Sequence, residues 1–256
     1  MDRPAVPGLA VAERRVSNPR ATVICIHGGL DRAGSFARLA RRSESFDLLA
    51  YDRRGYQGSR NHHAVGLEGD IDDLLELAND EARGGPVIFF GHSYGGVIAL
   101  GAALRTPTLA ALALVYEAPL PWILTRTSSR PELTDDPELE AEIFFKRVVS
   151  KGAWDRLSER ERESRRLDGS ALLSDLRTLR AEPPFDLAAL TTPTVYLHGD
   201  GILAPYYRAL CTEISLVNPA VTAYELVNAG HGAHLANPDQ LAATISELWG
   251  ATCASA

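Results

Sequence analysis

The stretch that decides the fold is PVIFFGHSYGGVIALGAAL, residues 86–104. It begins with apolar residues typical of a buried strand, passes through Gly-His-Ser-Tyr-Gly-Gly and continues with the small residues of a packed helix. Gly91 and Gly95 flank Ser93 in the spacing G-x-S-x-G, where a sharp strand-to-helix turn leaves room only for small side chains. Because such a turn lifts the serine hydroxyl clear of the sheet, the stretch predicts that Ser93 is a nucleophile. A purely structural turn would not need a hydroxyl there.

Short apolar runs alternate with amphipathic stretches along most of the chain. Continuous apolar strands that alternate with helices are typical of a parallel sheet covered on both faces. We therefore predict an α/β fold with a mostly parallel central sheet. The predicted strands are 21–27, 46–52, 86–90, 109–117, 193–199 and 221–227, and the predicted helices are 35–43, 67–83, 94–104, 204–216 and 238–249.

The alternation fails between Pro119 and Pro184. This segment is charged and helical in pattern, and proline-containing stretches bound it at both ends. We therefore predict a helical cap, residues 119–185, inserted into a core made of residues 1–118 and 186–256.

Composition excludes several classes of protein. The 256 residues include 26 basic and 33 acidic side chains, a net charge of −7, with no concentrated basic stripe, so no nucleic-acid partner is expected. No run of 18 apolar residues exists, and the first 20 residues lack the apolar run of a signal peptide, so no membrane partner is expected. The three scattered cysteines suit reduced thiols and a cytoplasmic location. A homodimer is left open.

No metal site or other cofactor is expected from the sequence. The close histidine pairs, at 62–63 and 231–234, have no cysteine or glutamate partner at a recognised ligand spacing.

Four stretches together resemble the α/β-hydrolase family. The GHSxGG form of its nucleophile turn is matched at residues 91–96, and three further motifs follow the family's order: CIHGGLDRAGSF (25–36), YDRRGYQGS (51–59) and AGHGAHLANPDQL (229–241). The resemblance implies that the N–H groups of Gly29 and Tyr94 form an oxyanion hole. It also implies that His231 is the catalytic base. His234, His27 and His92 are expected to be structural.

The acid departs from the family's commonest pattern. Most members carry an aspartate where this chain has Ile202, and Asp200 stands two residues too early. Glu117 ends the strand before the cap, and it resembles the acid of zearalenone-type lactone hydrolases. A carboxylate at the end of a buried strand is costly unless it has a partner, and an imidazole would be one. We therefore predict Glu117 as the acid, with Asp200 as the alternative.

These residues predict a serine hydrolase of a carboxylic ester or lactone, acting through Ser93, His231 and Glu117 by way of an acyl-enzyme. A thioesterase or acyltransferase and a C–C bond hydrolase or cyclase are alternatives on the same fold. A ligand-binding protein without turnover is a fourth.

Aromatic residues of the cap predict an apolar pocket for a hydrophobic small-molecule substrate. The alternative is that they pack the cap onto the core. The candidates are Trp122, Phe144, Phe145 and Trp154.

Overall fold

The computed structural model describes residues 8–124 and 131–255, so parts of the predicted core and cap lie outside the described residues. Seven strands form one sheet in the order β1-β3-β2-β4-β5-β6-β7. Only β1 runs antiparallel to its neighbour, and the other pairs are parallel. The strands are β1 (Val11–Arg14), β2 (Thr22–Ile26), β3 (Asp47–Tyr51), β4 (Val87–His92), β5 (Leu112–Tyr116), β6 (Thr194–Gly199) and β7 (Val221–Leu226).

Helices cover both faces of this sheet, and the predicted α/β fold is confirmed. The α-helices of the described residues are α1 (Ala37–Arg42), α2 (Gly66–Ala82), α3 (Tyr94–Arg105), α4 (Pro137–Phe145), α5 (Lys151–Arg156), α6 (Glu159–Arg166), α7 (Gly169–Thr178), α8 (Ala204–Val217), α9 (Ala233–Ala236) and α10 (Pro238–Ser255). None of the helices in the described part of the chain is long and apolar enough to cross a membrane.

The core has two layers because strands β2 to β5 are buried on both sides. On one face, side chains of α2, α3 and α8 pack on the sheet; on the other, side chains of α1 and α10 do so. Burial of both faces explains why these strands are continuous apolar runs. The first strand was not predicted, because three of its four residues are exposed and it lies at the sheet edge.

Four helices, α4 to α7, lie between β5 and β6 in the chain. Their apolar side chains form a small cluster together with Leu30 and Tyr56 from loops that follow β2 and β3. A π-helical turn, Lys146–Ser150, joins α4 to α5. Buried ion pairs connect these helices to the loop after β3: Arg53 binds Asp175, and Arg60 binds Asp168, whose side chain is fully buried. The inserted helices are therefore fixed to the sheet by charge as well as by packing.

Candidate active site

Ser93 lies between β4 and α3 in a backbone conformation that residues with side chains rarely adopt. Its φ is 53° and its ψ is −124°, and its N–H donates to Tyr116 O at 2.8 Å. A Cβ on Gly91 would clash with the backbone of Gly95, and a Cβ on Gly95 would clash with Ile26 O. The two glycines are therefore required by packing. Strain of this kind is typical of functional sites.

The loop after β2 comes close to Ser93 at Gly28. A Cβ on Gly28 would lie 2.8 Å from Ser93 Cβ and 3.3 Å from its Oγ, so a side chain there would press on the hydroxyl. His27 fixes this loop, because its Nε2 accepts from Arg53 N at 3.0 Å and its Nδ1 donates to Gly28 O at 2.7 Å. Burial holds His27 neutral by lowering its pKa to about 3.

Of the two predicted oxyanion-hole residues, Tyr94 is the chain neighbour of Ser93 and Gly29 is the chain neighbour of Gly28, which packs against Ser93. Tyr94 follows Ser93 as the first residue of α3, where a backbone N–H has no partner within the helix. Gly29 follows the glycine that touches Ser93, and a Cβ on Gly29 would lie 3.5 Å from Phe144 Cζ. An inserted helix therefore borders the same loop.

His231 and Glu117 are joined directly: His231 Nδ1 lies 2.6 Å from Glu117 Oε2. Glu117 follows β5 and His231 follows β7, so the parallel strands bring both to one edge of the sheet. Glu117 is only 4% exposed, and its Oε1 accepts from Gly199 N at 3.0 Å. Both carboxylate oxygens are thus hydrogen-bonded, as a buried charge requires. The φ of Glu117 is 48°, so Glu117, like Ser93, has a strained backbone conformation.

Two further side chains, those of Tyr116 and His92, hold the loop that carries His231. The sequence predicts this role for neither residue. Tyr116 OH donates to Gly230 O at 2.7 Å. His92 Nε2 lies 2.8 Å from His231 O, and the two imidazole rings pack with centroids 4.7 Å apart. Because Tyr116 precedes Glu117 and His92 precedes Ser93, the strands that lead to Glu117 and Ser93 also fix the backbone around His231.

Asp200, the alternative acid, faces the backbone rather than the imidazole. Its Oδ1 accepts from Ala229 N at 3.1 Å. Backbone hydrogen bonds, first from Asn228 and then from Ala229, hold the pKa of Asp200 below its usual value against the opposing effect of burial. Asp200 therefore braces the turn that leads to His231.

The four candidate pocket aromatics fall into different surroundings. Phe145 and Trp154 are buried and pack on each other at 5.4 Å between ring centroids, inside the inserted helices. Trp122 stacks edge-on against Phe185, and it is half-buried. Phe144, also half-buried, borders the loop that contains Gly29.

Three polar side chains form a group that includes His92, the residue before Ser93, and no local sequence pattern predicts this group. His92 and His234 are buried with ring centroids 4.4 Å apart, and the Asp31 carboxylate faces both of them. Burial is the main reason why the pKa of His92 is lowered to about 4. Burial raises the pKa of Asp31, but the two histidines outweigh it and hold that pKa well below its usual value.

A buried arginine connects the site to the inserted helices. Arg53 is 1% exposed and binds Asp70 at 2.9 Å and Asp175 at 2.6 Å. Its guanidinium carbon also lies 5.0 Å from the centre of the Tyr94 ring. Burial raises the pKa of Asp70; Arg53 lowers it, Asp175 raises it again, and the result is about 7.

Known proteins are similar to this chain in sequence or in structure. The chain is 28% identical over 242 residues to a protein of Rhizobium rhizogenes described provisionally as a carbamate hydrolase, with 87% of this chain and 89% of the relative covered. It is 26% identical over 212 residues to the monoacylglycerol lipase of Mycolicibacterium smegmatis, with 72% and 71% covered. An alpha/beta hydrolase structure from Sphaerobacter thermophilus superposes with a TM-score of 0.69 at 21% identity, covering 96% of this chain and 99% of that one.

The family model described as the alpha/beta hydrolase family matches residues 23–244. That span includes the strained serine, the buried glutamate and the histidine joined to it. The chain belongs to the alpha/beta hydrolase family.

Proposed function

We propose that this protein is a serine hydrolase that cleaves a carboxylic ester or lactone of a hydrophobic small molecule. Relatives named as hydrolases and lipases support hydrolytic activity. The observation that carries the finer proposal is the 2.6 Å contact between His231 Nδ1 and the buried Glu117, at the end of the sheet where Ser93 follows β4.

In the proposed reaction, His231 takes the proton of Ser93 Oγ as the oxygen attacks the substrate carbonyl. Glu117 fixes the imidazole with its Nδ1–H toward the carboxylate, so that Nε2 is the basic nitrogen. The negative charge of Glu117 then stabilises the imidazolium that forms. The imidazolium returns the proton to the leaving alcohol, and the acyl group stays on Ser93.

The second half repeats these steps with water. His231 takes a proton from water, the resulting hydroxide attacks the acyl-serine, and Ser93 leaves with the proton from the imidazolium. We assign the backbone N–H groups of Gly29 and Tyr94 to the oxyanion that forms in both halves. Packing of Gly28 against Ser93 supports this assignment, because it holds the loop beside the attacking oxygen.

The substrate proposal rests on the apolar side chains near the loop of Gly29. We propose that residues 119–185 act as a cap and that Phe144 and Trp122 line the apolar pocket. Phe145 and Trp154 pack against each other and would hold that wall in place. The relative named as a monoacylglycerol lipase is consistent with an apolar acyl group.

The direct test is covalent labelling by a fluorophosphonate. We expect one label per chain on Ser93, and none in Ser93→Ala. The alanine variant should lose activity toward an activated ester by about 10⁴- to 10⁶-fold in kcat, because triad members act as a unit. Ser35→Ala is a matched control, since Ser35 is also buried and its hydroxyl donates to Arg32 O, in the segment that follows the loop of Gly29. Labelling that persists in Ser93→Ala would contradict the proposal.

A substrate panel then separates the chemical classes. Carboxylic esters and lactones of increasing chain length should be cleaved faster than the matched thioester, carbamate and C–C substrates. Chelators should leave this activity intact, because the proposed reaction uses no metal. Preference for the thioester or carbamate would move the protein to that class while leaving Ser93 as the nucleophile.

A further inference from the structure

The side chains of Asp31, His92 and His234 face one another close to Ser93, which follows His92 in the chain. Asp31 Oδ2 lies 3.3 Å from His234 Nε2 and 3.7 Å from His92 Nδ1, and the ligand atoms of the three residues lie within 4.8 Å of one another. His92 is 6% exposed and His234 is 2% exposed. None of these three atoms has a hydrogen-bond partner among the described residues.

The tautomer of His92 follows from its other nitrogen. Nε2 lies 2.8 Å from His231 O, and a carbonyl oxygen can only accept, so Nε2 carries the hydrogen. In the neutral imidazole, Nδ1 is then a bare lone pair that faces the Asp31 carboxylate. Two buried acceptors that face each other are costly unless a donor or a cation lies between them.

The spacing suits a metal ion. Nitrogen and oxygen ligands lie about 2.0–2.2 Å from zinc in a tetrahedral site, which places ligand atoms roughly 3.3–3.6 Å apart. The two separations from Asp31 Oδ2, 3.3 and 3.7 Å, are close to that range, and all three ligand atoms lie within 4.8 Å of one another. One carboxylate and two imidazoles are also a donor set that divalent transition metals favour.

The surroundings match those of a ligating histidine. Metal-bound histidines usually donate their second N–H to a carbonyl or carboxylate, and His92 does so toward His231 O. The ring of Phe36 lies 5.0 Å from the ring of His234 and forms an apolar wall on that side.

We propose that Asp31, His92 and His234 bind one divalent transition-metal ion of the zinc type, outside the catalytic triad. The sequence predicts no metal site, because Asp31 is 61 residues from His92 and 203 residues from His234. The ion would join the loop after β2, the C-terminal end of β4 and the helix α9. It contacts no reacting atom, so its role is to hold these three segments together.

The test uses the whole protein, dialysed against a chelator and then titrated with Co²⁺. We expect one equivalent to bind with the visible absorption of a four-coordinate cobalt site, and Zn²⁺ to displace it. At a Zn²⁺ concentration about 100 times its Kd, Tm should rise by about 5 °C or more. Ester hydrolysis below Tm should be the same with and without the ion.

Asp31→Asn and His234→Gln should each weaken Co²⁺ binding by at least about 100-fold, because each removes a direct ligand. His63→Gln, at an exposed position outside this group, is the matched control and should bind normally. Circular dichroism of each variant checks that it is folded.

Three outcomes would overturn the proposal. One is the absence of stoichiometric Co²⁺ binding by the wild type, which would leave a water or a proton between the three side chains. Another is normal binding in both ligand variants. The third is loss of binding in His231→Gln with retention in Asp31→Asn, which would place the ion on the catalytic histidine. None of these results bears on labelling of Ser93, so the site and the proposed hydrolase fail independently.

Discussion

Glu117 and His231 are 114 residues apart in the chain, yet their side chains meet at 2.6 Å because β5 and β7 end at the same edge of the sheet. The aspartate that follows the intervening strand, Asp200, binds the backbone of Ala229 instead. The carboxylate that contacts His231 therefore comes from the end of β5, before the helices α4 to α7, and Asp200 supports the loop that carries His231.

These contacts predict that isosteric substitutions of Glu117 and Asp200 lower kcat to different extents. Glu117→Gln should lower kcat by about 10²- to 10⁴-fold with little change in KM, because the amide no longer holds the imidazole tautomer or stabilises the imidazolium. Asp200→Asn should lower kcat by less than about tenfold, since its amide oxygen still accepts from Ala229. Steady-state kinetics on one activated ester would measure both. The reverse order, with both variants folded, would assign the acid to Asp200.

Tyr116 should contribute to catalysis without touching substrate. Its hydroxyl donates to Gly230 O, next to the base, so Tyr116→Phe leaves that carbonyl unpaired and loosens the loop. We expect kcat to fall by about 3- to 30-fold, since small displacements of a catalytic group are costly. The free energy of unfolding should fall by about 1 kcal/mol, measured by urea denaturation.

Tyr51→Phe is the control for this variant. The Tyr51 hydroxyl is also buried but has no hydrogen-bond partner among the described residues, so its loss should be neutral or stabilising. Equal effects of the two substitutions on kcat would show that the Gly230 contact has no special role.

The fold was predictable because local patterns determine it. The strands buried on both faces are unbroken apolar runs, and the turn around Ser93 tolerates only glycine at Gly91 and Gly95. The contact of Glu117 with His231 was predictable, because a carboxylate at the end of a buried strand is costly without a partner and an imidazole can be one.

Other features depend on tertiary contacts that no local pattern encodes. Asp31, His92 and His234 come together only when the loop after β2, the end of β4 and α9 meet in the folded chain. In the stretch YDRRGYQGS, nothing in the sequence distinguishes Arg53 from an exposed charged loop residue. In the structure Arg53 is almost fully buried between Asp70 and Asp175. The aromatics of the inserted helices look alike in sequence, and only packing separates the buried Trp154 from the half-buried Phe144.

Phe144 and Trp154 should respond differently to truncation. Phe144→Ala opens space beside the loop of Gly29, so the ratio of kcat/KM for long to short acyl esters should change by about tenfold or more. Trp154→Ala removes a ring that packs on Phe145 inside the inserted helices, so it should cost about 3–5 kcal/mol of unfolding free energy. Its ratio of kcat/KM values should stay within about threefold of the wild type. If Trp154→Ala shifts the substrate ratio and Phe144→Ala does not, the pocket lies on the other side of α4.

Asp70 should make stability depend on pH near neutrality. One guanidinium, Arg53, lies between the carboxylates of Asp70 and Asp175, with Asp73 nearby, and the pKa of Asp70 is raised to about 7. The unfolded chain has the ordinary value of 3.8, so the folded state binds the extra proton between these two pH values. The contribution is therefore fully present below about pH 4 and is lost as pH rises through 7.

Asp70→Asn removes this titration and leaves Arg53 paired with Asp175 alone. The wild type should therefore lose stability relative to the variant, by on the order of a few kcal/mol, as pH rises from 4 to 8. Urea denaturation of both proteins across this range would measure the difference. Asp72→Asn is the control, because Asp72 lies on the exposed side of the same helix and pairs with Arg105, so its curve should run parallel to that of the wild type. A difference between wild type and Asp70→Asn that stays constant with pH would show that Asp70 is ionised throughout and that Arg53 outweighs the cost of burying both carboxylates.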